Sequence, residues 1–230
     1  MNKIILLIFF CTGIFFYGNI FAADVAQETI LYEISPFGSS EYQDLGLVEL
    51  RGSKMNLVIF KTDVAGFKDT EKIYSDPDTF LPLWVERDIT MWLRKEYLTE
   101  QYFPKANREV ISKFENGRKT KEYFFKANGP IHNAILLPFS LRKIQNLGIG
   151  WSCNIRLPEE FKVTLVSVEN VSVPAGTFRA YHFTSVPAKF EIWITNDSLR
   201  LPVKIKGLGA LSYTLSMKKR SAPANIQEGS

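Results

Sequence analysis

The chain has 230 residues, a formal net charge of +4, 46% hydrophobic residues and 13% aromatics. That composition excludes a disordered chain, and the evenly mixed charge is not the clustered Lys/Arg footprint of a nucleic-acid binder. It has two cysteines, Cys11 and Cys153, so no disulfide framework holds the fold.

Residues 1–22 read as a secretory signal. Lys3 is the sole charge, Ile4–Phe16 is apolar, Gly18-Asn19 breaks the run, and Ala22 precedes Ala23 at the expected cut. An uncleaved anchor is the rival reading, but the unbroken run is short for about 30 Å of hydrocarbon. A lipid-attachment reading at Cys11 meets bulky Phe10 where a small residue is wanted. Cleavage leaves Cys153 alone in an exported, periplasmic protein, where it reads as a small buried hydrophobe.

The mature chain reads as one domain, residues 23–217, followed by a polar tail over 218–230. Its period is two almost throughout, which predicts strands. Leu57-Val58-Ile59-Phe60 suits a strand covered on both sides. From Leu83 to Leu93 the odd positions are aliphatic with Arg87 the exception, and Trp84, Glu86, Asp88 and Trp92 fall on the other face. Asn116-Gly117 accepts positive φ at both central positions of a two-residue hairpin; that register sets Glu115 opposite Arg118 and Val110 opposite Tyr123.

After Asn128-Gly129-Pro130, the spacing of Ile131, Ile135 and Phe139, and of Leu137, Leu141 and Ile144, predicts one helix. Pro138 costs about 3 kcal/mol in a helix interior, so the helix kinks there or starts late. Further alternation runs through Phe161–Val166, Phe178–Thr184, Phe190–Thr195, Leu201–Lys206 and Leu211–Met217. Pro202 removes a ladder donor, which places it at an edge or a strand start. Lys218-Lys219-Arg220 reads as a solvated tail or as a contact for anionic headgroups.

About ten hairpin-linked strands with one helix predict a mainly β fold. The expected form is a strongly curved antiparallel sheet or incomplete β-barrel, with the helix covering its open side or plugging its mouth.

Chemistry is sparse. His132 and His182 fall in different elements, and no Cys/His cluster has metal-ligand spacing, so no cofactor or metal is expected. Asp76-Pro77-Asp78 reads as a turn before it reads as an acid/base pair, and Gly207-Leu208-Gly209 lacks the helix of a phosphate loop. A non-enzyme is expected. The aromatics are the remaining lead: Trp84, Trp92, Trp193 and Tyr181 are either core or the lining of an apolar pocket.

Two stretches carry a family resemblance. One is Glu71-Lys72-Ile73-Tyr74-Ser75-Asp76-Pro77-Asp78-Thr79-Phe80-Leu81-Pro82 leading to Val85-Glu86-Arg87. The other joins Val173-Pro174-Ala175-Gly176-Thr177-Phe178, Ile192-Trp193-Ile194 and Leu201-Pro202-Val203-Lys204-Ile205. Together with Leu141-Arg142 and Gly150, they resemble the exported bacterial proteins catalogued as domain of unknown function 3108. Pro138 departs from that family's helix pattern. The resemblance implies a Gram-negative periplasmic protein, mainly antiparallel β, similar in architecture to the lipoprotein carriers whose half-barrel holds acyl chains. It implies no catalytic residue. The expected function is binding of an apolar ligand, a lipid or lipoprotein acyl chain, by a monomer. The alternative is a protein-interaction factor in envelope assembly with a solid core.

Overall fold

The computed structural model describes residues 27–209 and 212–222. The signal-like segment with Ala22 and Ala23 lies outside the described residues.

Fourteen antiparallel strands form one sheet: β1 (Glu28–Ser35), β2 (Gly38–Leu50), β3 (Ser53–Val64), β4 (Phe67–Ser75), β5 (Pro82–Met91), β6 (Arg94–Phe103), β7 (Arg108–Glu115), β8 (Arg118–Lys126), β9 (Ser152–Arg156), β10 (Glu160–Val173), β11 (Gly176–Val186), β12 (Phe190–Thr195), β13 (Pro202–Gly207) and β14 (Tyr213–Ser221). The order runs from β8 down to β1, then β14 down to β9. The chain is therefore a meander whose first and last strands join at the middle. The edges, β8 and β9, are consecutive in sequence and do not pair, so the barrel is incomplete.

The count exceeds the expected ten for a physical reason. On β4 and β6 the core-facing positions carry Asp69, Glu71 and Glu100, which breaks the apolar alternation. The structure offsets those charges with Arg87, the odd residue of the β5 pattern. Leu57–Phe60 lies in β3 with Val58 and Phe60 buried, but Leu57 and Ile59 are only half-covered, because that face of the sheet is largely open to water.

Local turn chemistry matches the register. Asn116 and Gly117 have φ of 50° and 74°, and Glu115 pairs with Arg118. Val110, however, pairs with Phe124 rather than Tyr123, because a bulge between Lys113 and Phe114 shifts the ladder by one residue. Pro202 opens β13, beside a register shift on β12.

The basic run is not tail. Lys218, Lys219 and Arg220 continue β14, where Lys219 pairs with Leu31 and Arg220 with Ile30. The folded domain therefore reaches Ser221 rather than ending at 217. A carboxylate explains it: Glu28 accepts from Arg220 Nε at 2.7 Å, which gives that cation a buried partner.

The helix starts late. Only Leu137–Leu141 is helical (α1), with Pro138 in the first turn, where the missing N–H is an orphan anyway. Asn133 initiates it: its Oδ1 accepts from the N–H groups of Ile135 and Leu136, and its carbonyl accepts from Leu137.

Two core clusters meet at this short segment. Leu136 and Phe139 join the larger one with Ile30, Tyr42, Val58, Ile73 and Val85. Leu137 and Leu141 join the smaller one with Ile155, Val163, Leu165, Phe183 and Ile192. Strands far apart in the sheet order therefore touch the same turn of helix, which requires the sheet to wrap around it. Burying Leu137, Phe139 and Leu141 contributes about 1.5–3 kcal/mol each.

Ionic clamps fix the plug. Arg142, just after α1, donates to Glu28 and to the carbonyl of Leu199. Arg200 donates to the carbonyl of Ile144.

Candidate functional site: a cavity beside the plug helix

A cavity of about 270 Å³ lies between α1, β9 and the loop that joins β4 to β5. Its apolar wall is Phe80, Leu136, Leu137, Leu141, Ile144 and Ile155. Its polar fringe is Thr79, His132, Asn133, Ser140, Cys153 and Asn154.

Each wall has a local cause. Asp76 organises the β4–β5 loop: Oδ1 accepts from the N–H groups of Asp78 and Thr79 and from the Thr79 hydroxyl. Those bonds from Thr79 and Asp78 hold the Asp76 carboxyl below its ordinary range. The loop brings Phe80 inward at φ 60°. Asp76-Pro77-Asp78 is thus a turn held by three hydrogen bonds to Oδ1 of its first carboxylate. On the facing side, residue 132 runs alongside β9. The His132 N–H donates to the Arg156 carbonyl at 2.6 Å, and Nδ1 accepts from the Arg156 N–H at 3.3 Å. Burial lowers the affinity of His132 for a second proton, so the imidazole is neutral at pH 7. Burial likewise pushes the Cys153 thiol up, which keeps it protonated and unreactive.

No formal charge lines the cavity itself. Beside it, Lys143 Nζ sits 3.7 Å from the centre of the Phe80 ring. Burial lowers its pKa, against the opposing pull of Asp44 and Asp78. The arrangement holds an apolar body against neutral polar groups, with one ammonium beside the wall.

The structure does not bring the four sequence-marked aromatics together. Trp84 lies on the face of β5 opposite buried Val85, donates to Glu86 and is covered by Arg51 at 4.9 Å. Trp92 projects from the β5–β6 turn. Trp193 is buried on the face of β12 opposite Ile192, stacked on His182 at 4.3 Å and donating from Nε1 to Glu169 at 2.7 Å. Tyr181 packs against the cluster that contains Leu137, Leu141 and Ile155. None of the four lines the cavity. The residues that do are spread over three segments of unrelated pattern. The one signal in the sequence was the broken helix itself, too apolar for a surface turn.

A second polar group sits in the interior. Arg87 faces Asp69, Glu71 and Glu100, and Glu100 also accepts from the Tyr102 hydroxyl at 2.7 Å. Burial raises the Glu71 carboxyl to about 7, against the pull of Arg87. Burial and the neighbouring Glu100 raise Glu109 to about 7 as well. Among the described residues, no group of three or more His, Cys, Asp or Glu side chains is arranged to hold a metal ion.

No family model matches the chain, and no curated protein matches it. A solved structure does: the crystal structure of a beta-barrel-like protein of the Domain of Unknown Function DUF1849 from Brucella abortus. It shares 8% identity with a TM-score of 0.51, over 86% of this chain and 98% of that one. At that identity the likeness concerns the fold alone: a mainly β, barrel-like antiparallel sheet.

Proposed function

We propose that this protein is a non-enzymatic, exported binder of an apolar ligand with a small polar end, such as the acyl chain of a lipid. The carrying observation is the cavity between α1 and β9, walled by aliphatic and aromatic side chains and fringed by neutral polar ones. Its volume of about 270 Å³ is near the ~300 Å³ lower end for small-molecule sites. A longer chain needs α1 to shift, and α1 is a five-residue plug at an unpaired seam rather than a wall of the sheet. The signal-like N-terminus and the resemblance to exported proteins of unknown function support a periplasmic site of action. Lys143 beside Phe80 supplies a partner for a carboxylate end.

The test is uptake of a fluorescent fatty acid by delipidated protein. Saturable binding is expected. Ile155→Trp, which fills the cavity, is expected to reduce it by about tenfold or more. Lys143→Gln should weaken the fatty acid but leave its methyl ester unchanged. Absence of saturable uptake by the unaltered protein ends this reading.

One observation favours a protein-interaction factor instead. Every residue of the edge strand β8 is exposed, including Tyr123, Phe124 and Phe125. Such an edge is a template for adding a strand from another chain. Native mass spectrometry of the protein taken from its own envelope separates the two: a lipid supports the first reading, a polypeptide the second.

A further inference from the structure

Successive turns of a meander alternate between two ends of the sheet. The turns β1–β2, β3–β4, β5–β6 and β7–β8 therefore share one end, with β9–β10, β11–β12 and β13–β14 joining them. Contacts confirm the neighbours. A side chain on Gly38 would meet Val64, and one on Gly66 would meet the ring of Trp92. The Trp92 N–H donates to the Gly66 carbonyl at 2.8 Å.

Six large exposed apolar residues lie at this end: Phe37, Met91, Trp92, Leu93, Val186 and Tyr213. The tips are the most exposed, with Phe37 at 74%, Trp92 at 78% and Leu93 at 102%. Trp92 is held at φ 56°, a left-handed conformation that a bulky residue seldom adopts. Its ring lies over Gly66, yet most of the residue stays exposed, so that contact buries little of the indole.

Exposed cations surround the tips. Arg94 and Lys95 follow Leu93, Arg118 and Lys119 leave the β7–β8 turn, Lys68 follows the β3–β4 turn, and Lys189 follows Val186. Lys68 pairs with Asp63, Arg94 with Glu96 and Glu115, and Lys119 with Glu122. Lys95, Arg118 and Lys189 make no ion pair among the described residues, so their charge is available to a partner. Aromatic and aliphatic tips with unpaired Lys95, Arg118 and Lys189 among them match an anionic bilayer surface: the tips enter the acyl boundary while these cations meet phosphates.

We propose that this turn-tip rim docks the protein on an anionic phospholipid surface. The rim lies at the end of the sheet opposite the β4–β5 loop that carries Phe80. The proposal does not depend on the cavity holding a ligand.

The test is co-sedimentation of the unliganded protein with vesicles of phosphatidylglycerol and phosphatidylethanolamine. Binding is expected. The double variant Trp92→Ser, Leu93→Ser should lower it by about tenfold or more. Lys95→Glu with Lys189→Glu should lower it on these vesicles but not on purely zwitterionic ones. Leu47→Ser with Ile149→Ser, exposed positions outside the rim, should leave it unchanged. Circular dichroism checks folding, and Phe37→Ser reports on the same rim if the double variant does not fold. Unaltered protein left in the supernatant overturns the proposal, as does a folded rim variant that sediments like the unaltered protein. Self-association that the rim variant abolishes, without vesicle binding, would reassign the rim to a second copy of the chain.

Discussion

Tyr42 of β2 and Phe139 of α1 stack face to face, with ring centroids 3.6 Å apart and planes 7° from parallel. This contact couples the plug to the wall of the barrel. Both rings are almost completely buried, so neither can be removed without leaving a void.

Phe139→Ala is expected to destabilise the protein by about 3–5 kcal/mol, through lost burial plus the cavity left behind. Paired with Tyr42→Ala in a double-mutant cycle, the stack should show a coupling of about 0.5–1.5 kcal/mol. Urea unfolding of the two single variants and the double variant checks both values.

Glu28 joins three segments. Arg142 after α1 and Arg220 of β14 both donate to its carboxylate. Burial works to raise the Glu28 pKa, and the two guanidiniums bring it below its ordinary 4.5. A depressed carboxyl contributes stability that is present above 4.5 and lost as pH falls through the folded-state value. Glu28→Gln leaves two arginines without their counter-charge and should cost about 3–5 kcal/mol at pH 7. Thermal melts across pH should show the difference from the unaltered protein closing below pH 4.5.

Glu71 has the opposite sign. Its folded value of about 7 lies above the ordinary 4.5, so the folded state holds a proton that the unfolded chain releases. Stability then falls as pH rises from about 4.5 through 7. Glu71→Gln removes that dependence. The variant should gain on the unaltered protein as pH rises through this window, and the gain should shrink toward pH 4.5. Arg87→Met is the converse test: it leaves Asp69, Glu71 and Glu100 facing one another and should destabilise strongly, by about 3–5 kcal/mol at neutral pH.

The sequence carried much of the sheet. Alternation at Phe161–Leu165, Phe190–Ile194 and Leu201–Ile205 marks strands β10, β12 and β13, the last opening one residue later at Pro202, and Asn116-Gly117 fixes its hairpin. Strands β4 and β6 were hidden because Asp69, Glu71 and Glu100 occupy inward positions, and only Arg87, on a different strand, makes those carboxylates tolerable. The cavity was less legible still. Phe80 and Ile155 are 75 residues apart in the chain, and each looks like ordinary apolar filling until α1 comes between them.

By itself, then, the chain determined a hairpin-built antiparallel sheet with one short helix, because period, turn residues and proline positions act within a few residues of one another. Where that sheet stops, what fills it and which side chains meet were decided by closure. The wrapping of strands around Leu136–Leu141 sets contacts between segments with no shared local pattern, and it leaves β8 and β9 unjoined.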